Sequence, residues 1–226
     1  MGEEARDLHR SRSVDRLIAY SDGIVAVAVT LLALPLVDIV PGTGQSVWTM
    51  LVENRGQVIA FLFTFAVVGI MWLAHNRILN GIRDFDGAVF WLNTGWLAAI
   101  VLLPWVSALY GESEWIGDGA AYPGVGLLYW GVLALISLLG LGISLHLNRH
   151  PELVAHPDNA AARRGEIRGA AFGLYFLFIG VMTLVAPSIA AWLPLGLIAI
   201  SILFGSARSR RDREAVTTSS TTTEES

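Results

Sequence analysis

The sequence contains no cysteine and no lysine, and charged residues make up only 15% of its 226 positions. The absence of cysteine excludes disulfide scaffolds, thiol catalysis, cysteine-rich zinc sites and iron–sulfur clusters. Soluble domains are about 25% charged, whereas this chain combines its low charge with an apolar fraction of 54%. The composition is therefore that of a protein whose solvent is lipid rather than water.

The apolar residues form six long blocks separated by short polar stretches. Each block is close to the roughly 20 residues that a membrane-spanning helix requires. The sequence predicts an all-α, polytopic membrane protein with spans at 17–37, 57–78, 88–109, 126–147, 170–186 and 189–204. The last two blocks are separated only by Ala186, Pro187 and Ser188, so they form either a tight helical hairpin or one broken helix. We expect one domain over 14–206, after an N-terminal segment 1–13 and before a polar, disordered tail 207–226.

The arginines predict the orientation of these spans. Fourteen of the 15 basic residues lie in the N-terminal segment, the second loop, the fourth loop or the tail, and Arg55 alone lies on the other side. The positive-inside rule then places both termini in the cytoplasm of a multi-pass cell-membrane protein. Arginine without lysine, together with abundant alanine and glycine, is typical of a GC-rich bacterial gene.

Catalytic and nucleotide-binding motifs are missing from the sequence. It has no Walker-type phosphate loop, no dinucleotide fingerprint and no H-E-x-x-H. The histidines His146, His150 and His156 cluster after the fourth block, where they either bind a metal or complement a helix dipole. The sequence therefore predicts no enzyme, no cofactor and no nucleic-acid partner.

The first block carries the most information about function. Asp22 lies several residues inside a membrane helix, a costly position that marks either function or a buried polar pairing. At 100° per residue, Val27, Thr30, Leu31 and Leu34 fall on one stripe, and Asp22 points about 140° away from Val27. Such a stripe serves either as ordinary helix packing or as the wall of a pore.

Two stretches carry a resemblance to a known family. Arg16-x-x-x-Tyr20-Ser21-Asp22-Gly23 resembles the R-x-x-x-F-S-D-G first-helix signature of the transmembrane protein 175 family, which comprises endosomal–lysosomal potassium channels and bacterial homologues. Residues 72–77, read W-L-A-H-N-R, and the later L-N and L-P pairs resemble the family's second conserved region. Tyr20 departs from the usual phenylalanine of the signature.

The resemblance implies a potassium-permeable cation channel without the T-V-G-Y-G filter. It implies a homotetramer in the lipid bilayer, in which the first helix of each chain lines a central pore and potassium is the permeant ion. The constriction falls by position on Val27, with Thr30, Leu31 and Leu34 on the same stripe. The remaining signature residues are expected to lock the helix in place, with partners from the second and third helices: Arg16, Tyr20, Ser21, Asp22, Gly23, His75 and Asn93.

Arg16 and Asp22 are separated by about 9 Å along the helix axis and about 120° around it, which argues against a direct bond between them within one helix. The candidate partners of these two residues are His75, Asn76, Arg77 and Asn93. Two other functions are compatible with the sequence. One is a proton-coupled secondary transporter that uses Asp22 and His75 as a relay, and the other is a non-conducting scaffold.

Overall fold

The computed structural model describes residues 2–113, 124–155, 159–190, 192–194 and 196, and its elements are helical. Five helices are long: α1 (Gly2–Leu31), α4 (Arg55–Leu79), α5 (Gly87–Glu112), α6 (Val125–Arg149) and α7 (Asn159–Val185). Three are short: α2 (Leu34–Val37), α3 (Val47–Glu53) and α8 (Pro187–Ala190). A single 3₁₀ turn, Pro151–Leu153, follows α6.

Five segments of the described chain are long and apolar enough to span a membrane: Arg12–Val37, Arg55–Leu79, Gly87–Glu112, Val125–Arg149 and Gly165–Val185. They correspond to the first five predicted blocks. The sixth predicted block, 189–204, and the predicted tail, 207–226, lie largely or wholly outside the described residues. The chain is thus an all-helical, polytopic membrane protein, as its hydropathy pattern predicts.

The first span is divided into two helical segments. Helix α1 ends at Leu31, and α2 begins at Leu34 with Pro35 in its first turn. Proline lacks a backbone N–H and cannot continue the hydrogen-bond ladder, which accounts for the break. At its other end α1 begins at Gly2, so the residues predicted as a separate N-terminal segment continue the same helix.

Helix α5 lies at the centre of the bundle, where it packs against α1, α4 and α6, while α7 packs against α6. Its position explains why Trp96, Ile100 and Leu103 of α5 are all buried. Thr64 Oγ1 lies 2.9 Å from Ser107 Oγ and 2.7 Å from the hydroxyl oxygen of Tyr129. This buried polar cluster ties α4, α5 and α6 together where lipid and water are both excluded.

One end of the bundle carries most of the described arginines, and we call it the arginine-rich end. There the start of the first span, the end of α4 with the loop after it, the start of α5 and the end of α6 share one apolar cluster: Val14, Leu79, Ile82, Val89, Ile143 and Leu147. The cluster shows that successive spans run in opposite directions.

Candidate functional site

Helix α1 has one buried face and one exposed face. The buried positions recur at helical spacing and pack into the bundle: Val14, Leu17, Ser21, Val25, Ala28 and Leu32. Exposed positions recur with the same spacing on the opposite side, and Leu34 at the start of α2 continues them: Arg16, Tyr20, Gly23, Val27, Thr30, Leu31 and Leu34. We call this second set the α1 stripe. Every residue predicted to line a pore belongs to it.

The buried face of α1 is attached to α5 and α4 by a chain of polar contacts. Ser21 Oγ donates to the carbonyl of Leu17 at 2.9 Å, and Asn93 Nδ2 donates to Ser21 Oγ at 3.1 Å. The other end of the Asn93 amide, Oδ1, lies 2.8 Å from His75 Nε2. All three side chains are buried, so water cannot hydrogen-bond to them. The contacts among them supply hydrogen bonds within the protein instead.

The imidazole of His75 is also fixed by an aromatic contact. Its ring stacks on Trp96 with centroids 3.8 Å apart and an interplanar angle of 13°. Because Asn93 and Trp96 are three residues apart on α5, both lie on the face that α4 contacts. His75 is therefore held from two directions by one helix.

Asp22 has a different partner from the ones expected. Trp72 Nε1 donates to Asp22 Oδ1 at 2.7 Å, whereas the sequence pointed to His75, Asn76, Arg77 or Asn93. That expectation is corrected because Trp72, one turn before His75 on α4, has an indole N–H that reaches α1. In the sequence, only the W-x-x-H spacing of Trp72 and His75 pointed to this contact. Charged and amide side chains were considered as partners of the Asp22 carboxylate, and an aromatic side chain was not.

The structure separates the predicted locking residues into two groups. Ser21, Asp22, His75 and Asn93 make the contacts between helices described above. Arg16, Tyr20 and Gly23 instead lie on the exposed α1 stripe. A Cβ atom added to Gly23 would meet no atom within 4 Å.

The apolar side chains of the α1 stripe are exposed in the single chain. Val27 is 60% exposed and Leu34 is 57% exposed, while Val25 and Ala28 on the other face are 5% and 3% exposed. The hydroxyl of Thr30 donates to the carbonyl of Val27 at 2.7 Å. That bond uses the hydroxyl proton, so the lone pairs of the Thr30 oxygen remain available to a cation.

The histidines after the fourth block form a separate site at the arginine-rich end. The rings of His146 and His150 are in tilted contact with their centroids 4.5 Å apart, and His156 lies outside the described residues. Among the described residues, no group of three or more metal-ligating side chains is placed to hold an ion. The structure therefore gives no support to the metal interpretation of His146 and His150.

Comparison with known proteins identifies the fold and the lineage. Residues 16–104 match the family model described as the endosomal/lysosomal potassium channel TMEM175. A protein named as a potassium channel from Streptomyces collinus is 31% identical over 175 residues, which cover 76% of this chain and 84% of the relative. The endosomal/lysosomal proton channel TMEM175 of Gallus gallus is 30% identical over 62% of this chain and 27% of its own length.

A solved structure shows the same architecture. The crystal structure of a lysosomal potassium-selective channel TMEM175 homologue from Chamaesiphon minutus superposes with a TM-score of 0.66 at 22% identity. The match covers 88% of this chain and 98% of that one. With the family signature at the start of α1 and a bacterial relative matched over most of its length, this chain belongs to the transmembrane protein 175 family.

Proposed function

We propose that the chain is one subunit of a homotetrameric, potassium-permeable cation channel in which the α1 stripes of four copies line the pore. The bacterial relative from Streptomyces is named as a potassium channel. The relatives are named as channels and not as enzymes, in keeping with the absence of catalytic motifs. Several copies are needed because one helix cannot enclose a pore and each chain supplies a single α1, and the number four is what the family resemblance implies.

The observation that carries this proposal is the exposure of the α1 stripe. Buried positions of α1 are filled by α4 and α5, yet Val27 and Leu34 have no partner that covers them within the described chain. Between Gly23 and Val37 the sequence has no charged residue. A narrow pore requires an uncharged, apolar wall. The α1 stripe provides such a wall between the polar contacts of Ser21 and Asp22 and the far end of the first span.

In the proposed mechanism, Val27 side chains from four subunits meet around the axis and form an apolar neck. Water is unstable in such a constriction, so an ion must shed part of its hydration shell to pass. Stripping costs more for Na⁺, which holds its water more tightly than K⁺, and potassium is therefore preferred. Leu31 and Leu34 narrow the path further along, and the Thr30 oxygen offers a ligand beside Val27.

The polar contacts of Ser21, Asp22, His75 and Asn93 are proposed to set the rotation of α1. Rotating α1 by one residue would turn the stripe by 100° and break the hydrogen bonds to Asn93 and Trp72. Such contacts fix a geometry more than they add stability, because burying polar groups costs much of what the bonds return.

The arginine-rich end is proposed to face the cytoplasm of a bacterial cell. Both termini lie on that side if the sixth predicted block, 189–204, also spans the membrane. A tag placed after Ser226 should then be protected from protease in right-side-out cells and cleaved in inverted vesicles. Cleavage in intact cells would contradict the proposed topology.

A proton pathway through Asp22 and His75 is the second candidate, because the relative from Gallus gallus is named as a proton channel. In the structure the two side chains do not bond to each other: Asp22 accepts from Trp72, and His75 faces Asn93. A relay would therefore require both groups to change partners. It predicts flux that depends on the proton gradient and is abolished by Asp22→Asn.

Single-channel recording in a planar bilayer tests the proposal. Purified protein between solutions of K⁺ and Na⁺ should give unitary currents with a reversal potential that favours K⁺. A reversal potential that follows the proton gradient would support the second candidate instead. If the protein gave no unitary current but carried a flux that saturates with ion concentration, as a carrier does, the proposed channel function would be contradicted.

A further inference from the structure

A short helix lies at the end of the bundle opposite the arginine-rich end. The connection between the first span and α4 comprises residues 38–54 and contains α3, Val47–Glu53. Helix α2 already packs against α4, and connections between neighbouring helices need only about 2–8 residues. Joining the two spans therefore does not require a connection of this length, and α3 needs another explanation.

The neighbouring spans fix the depth of α3 in the membrane. Only Asn54 separates α3 from Arg55, where the second span begins, and the third span ends at Glu112. Gly56 lies against Gly111, so these two span ends are at the same level. Helix α3 therefore lies where the apolar layer of the bilayer gives way to water.

Both ends of α3 are closed by side chains of the same connection. Ser46 Oγ accepts from the amide of Thr49 at 3.1 Å. At the other end, Asn54 Nδ2 donates to the carbonyl of Met50 at 2.8 Å. These bonds satisfy backbone groups that a helix end leaves unpaired. They explain how α3 forms a defined helix with only seven residues.

The side chains of α3 separate into an apolar face and a polar face. At 100° per residue, the apolar residues fall within an arc of about 140° and the polar residues Thr49 and Glu53 lie beyond it, while Met50 is partly buried. All the apolar residues are exposed in the single chain, Trp48 at 75%. We call this set the α3 face: Val47, Trp48, Leu51 and Val52.

The polar side of α3 is bonded to the loop that precedes it. Gln45 Nε2 donates to Glu53 Oε2 at 2.5 Å, and Ser46 Oγ lies 2.8 Å from Thr49 Oγ1. The other end of the Gln45 amide, Oε1, accepts from the amide of Gly42 at 2.8 Å. The loop is thus held on the polar side of the helix, and the α3 face stays uncovered.

We propose that the α3 face inserts into the lipid interface and anchors the connection between the first two spans to the bilayer. Tryptophan and aliphatic side chains partition to the boundary between headgroups and acyl chains, which is the level at which α3 lies. Exposed apolar side chains continue into the first turns of α4, at Ile59 and Leu62, which belong to a span.

The composition of α3 indicates which part of the bilayer it binds. Between Asp38 and Glu53 the sequence has no charged residue. Binding to anionic headgroups draws on lysine and arginine, so the α3 face binds the neutral boundary of the acyl chains instead. Four side chains are also far fewer than the roughly 20–30 residues per side of a stable protein interface, which favours lipid over a second copy of the chain.

Spin labels on single cysteines test the anchor, because the chain has no native cysteine. We expect labels on Trp48→Cys and Val52→Cys, in the full chain in phosphatidylcholine nanodiscs, to collide with oxygen, which concentrates in lipid. The collision rates should place both labels about 5–10 Å below the headgroup boundary. Thr49→Cys on the polar side is the matched control, and its label should collide with a water-soluble nickel chelate.

Two results would overturn the anchor. Labels at 48 and 52 that collide with the nickel chelate as often as the label at 49 would place the α3 face in water. Labels that neither reagent reaches, with spectra that sharpen when labelled protein is diluted with unlabelled protein, would mean that a second copy covers the face.

The choice of lipid tests the neutral character of the binding. Adding phosphatidylglycerol to the nanodiscs should leave the depth of both labels unchanged, and insertion only in the presence of that anionic lipid would overturn the proposed binding to acyl chains. The anchor is independent of the proposed channel, since these measurements need no current.

Discussion

At the scale of single residues, the chemistry of α1 depends on which face a side chain occupies. Val27 and Val29 are two positions apart on the same helix, yet Val27 is exposed on the stripe and Val29 packs partly against the core. Identical substitutions at these two sites therefore separate an effect on the pore from an effect on the helix.

Replacing Val27 by Thr should raise the current and lower the preference for K⁺ over Na⁺. A hydroxyl wets the apolar neck, so ions pass without shedding as much water. Val27→Phe should block the path by its volume. Whole-cell currents and reversal potentials measure both effects, and Val29→Thr is the control that should leave them unchanged. Altered selectivity in Val29→Thr with none in Val27→Thr would place the pore on another face of α1.

Asn93 has a separate role because it contacts Ser21 and His75 at once. Asn93→Ala leaves two buried polar groups without their partner, at about 1–3 kcal/mol for each group. We expect a lower unfolding temperature of the detergent-solubilised protein, measured by tryptophan fluorescence. Thr94→Ala is the neighbouring control, since the exposed Thr94 hydroxyl donates to the carbonyl of Phe90 within α5 itself. Equal thermal stability of the two variants would show that the Asn93 contacts add nothing to the bundle.

At the scale of secondary-structure elements, α4 and α5 are in tight contact at Gly111. A Cβ atom placed on Gly111 would lie 2.8 Å from the Cα of Gln57 and 3.2 Å from the Cβ of Ala60. Both neighbours belong to the start of α4, where they are part of the helix and cannot rotate away. The backbones touch here because Gly56 on α4 faces Gly111 on α5, and neither glycine has a side chain that would hold the helices apart.

Gly111→Ala should force α4 and α5 apart and destabilise the protein by about 1–3 kcal/mol, the usual cost of overpacking. Gly95→Ala on the same helix is the matched control, because its added Cβ would meet only the methyl groups of Leu139 at 3.7 Å. Thermal unfolding in one detergent compares the pair, and a Gly111→Ala variant as stable as Gly95→Ala would contradict the close contact.

At the scale of the whole molecule, the exposed α1 stripe can line a pore only when several chains assemble. Native mass spectrometry in mild detergent should show a species of four chains of 24.4 kDa each. A stable monomer or dimer as the sole species would count against a pore built from four copies of α1. The Val27→Phe variant should form the same assembly, because its side chains meet only their own copies at the axis.

Helix positions and faces could be predicted because their signals are local. The apolar blocks predicted the five spans of the described chain. The 3.6-residue period predicted one stripe for Val27, Thr30, Leu31 and Leu34, and all four are exposed, the first three on α1 and Leu34 on α2. Both follow from hydropathy and backbone geometry, which need no knowledge of neighbouring helices.

Contacts between helices were decided by the tertiary structure alone. The partner of Asp22 is Trp72 rather than a charged or amide group, because the rotation and axial shift of α4 bring that indole to α1. The joining of Ile82 to Val154, and the pairing of His146 with Asp86 across 60 residues, likewise depend on how α4, α5 and α6 pack. Sequence periodicity fixes which way a side chain points from its own helix, but only the packing of helices determines what it meets.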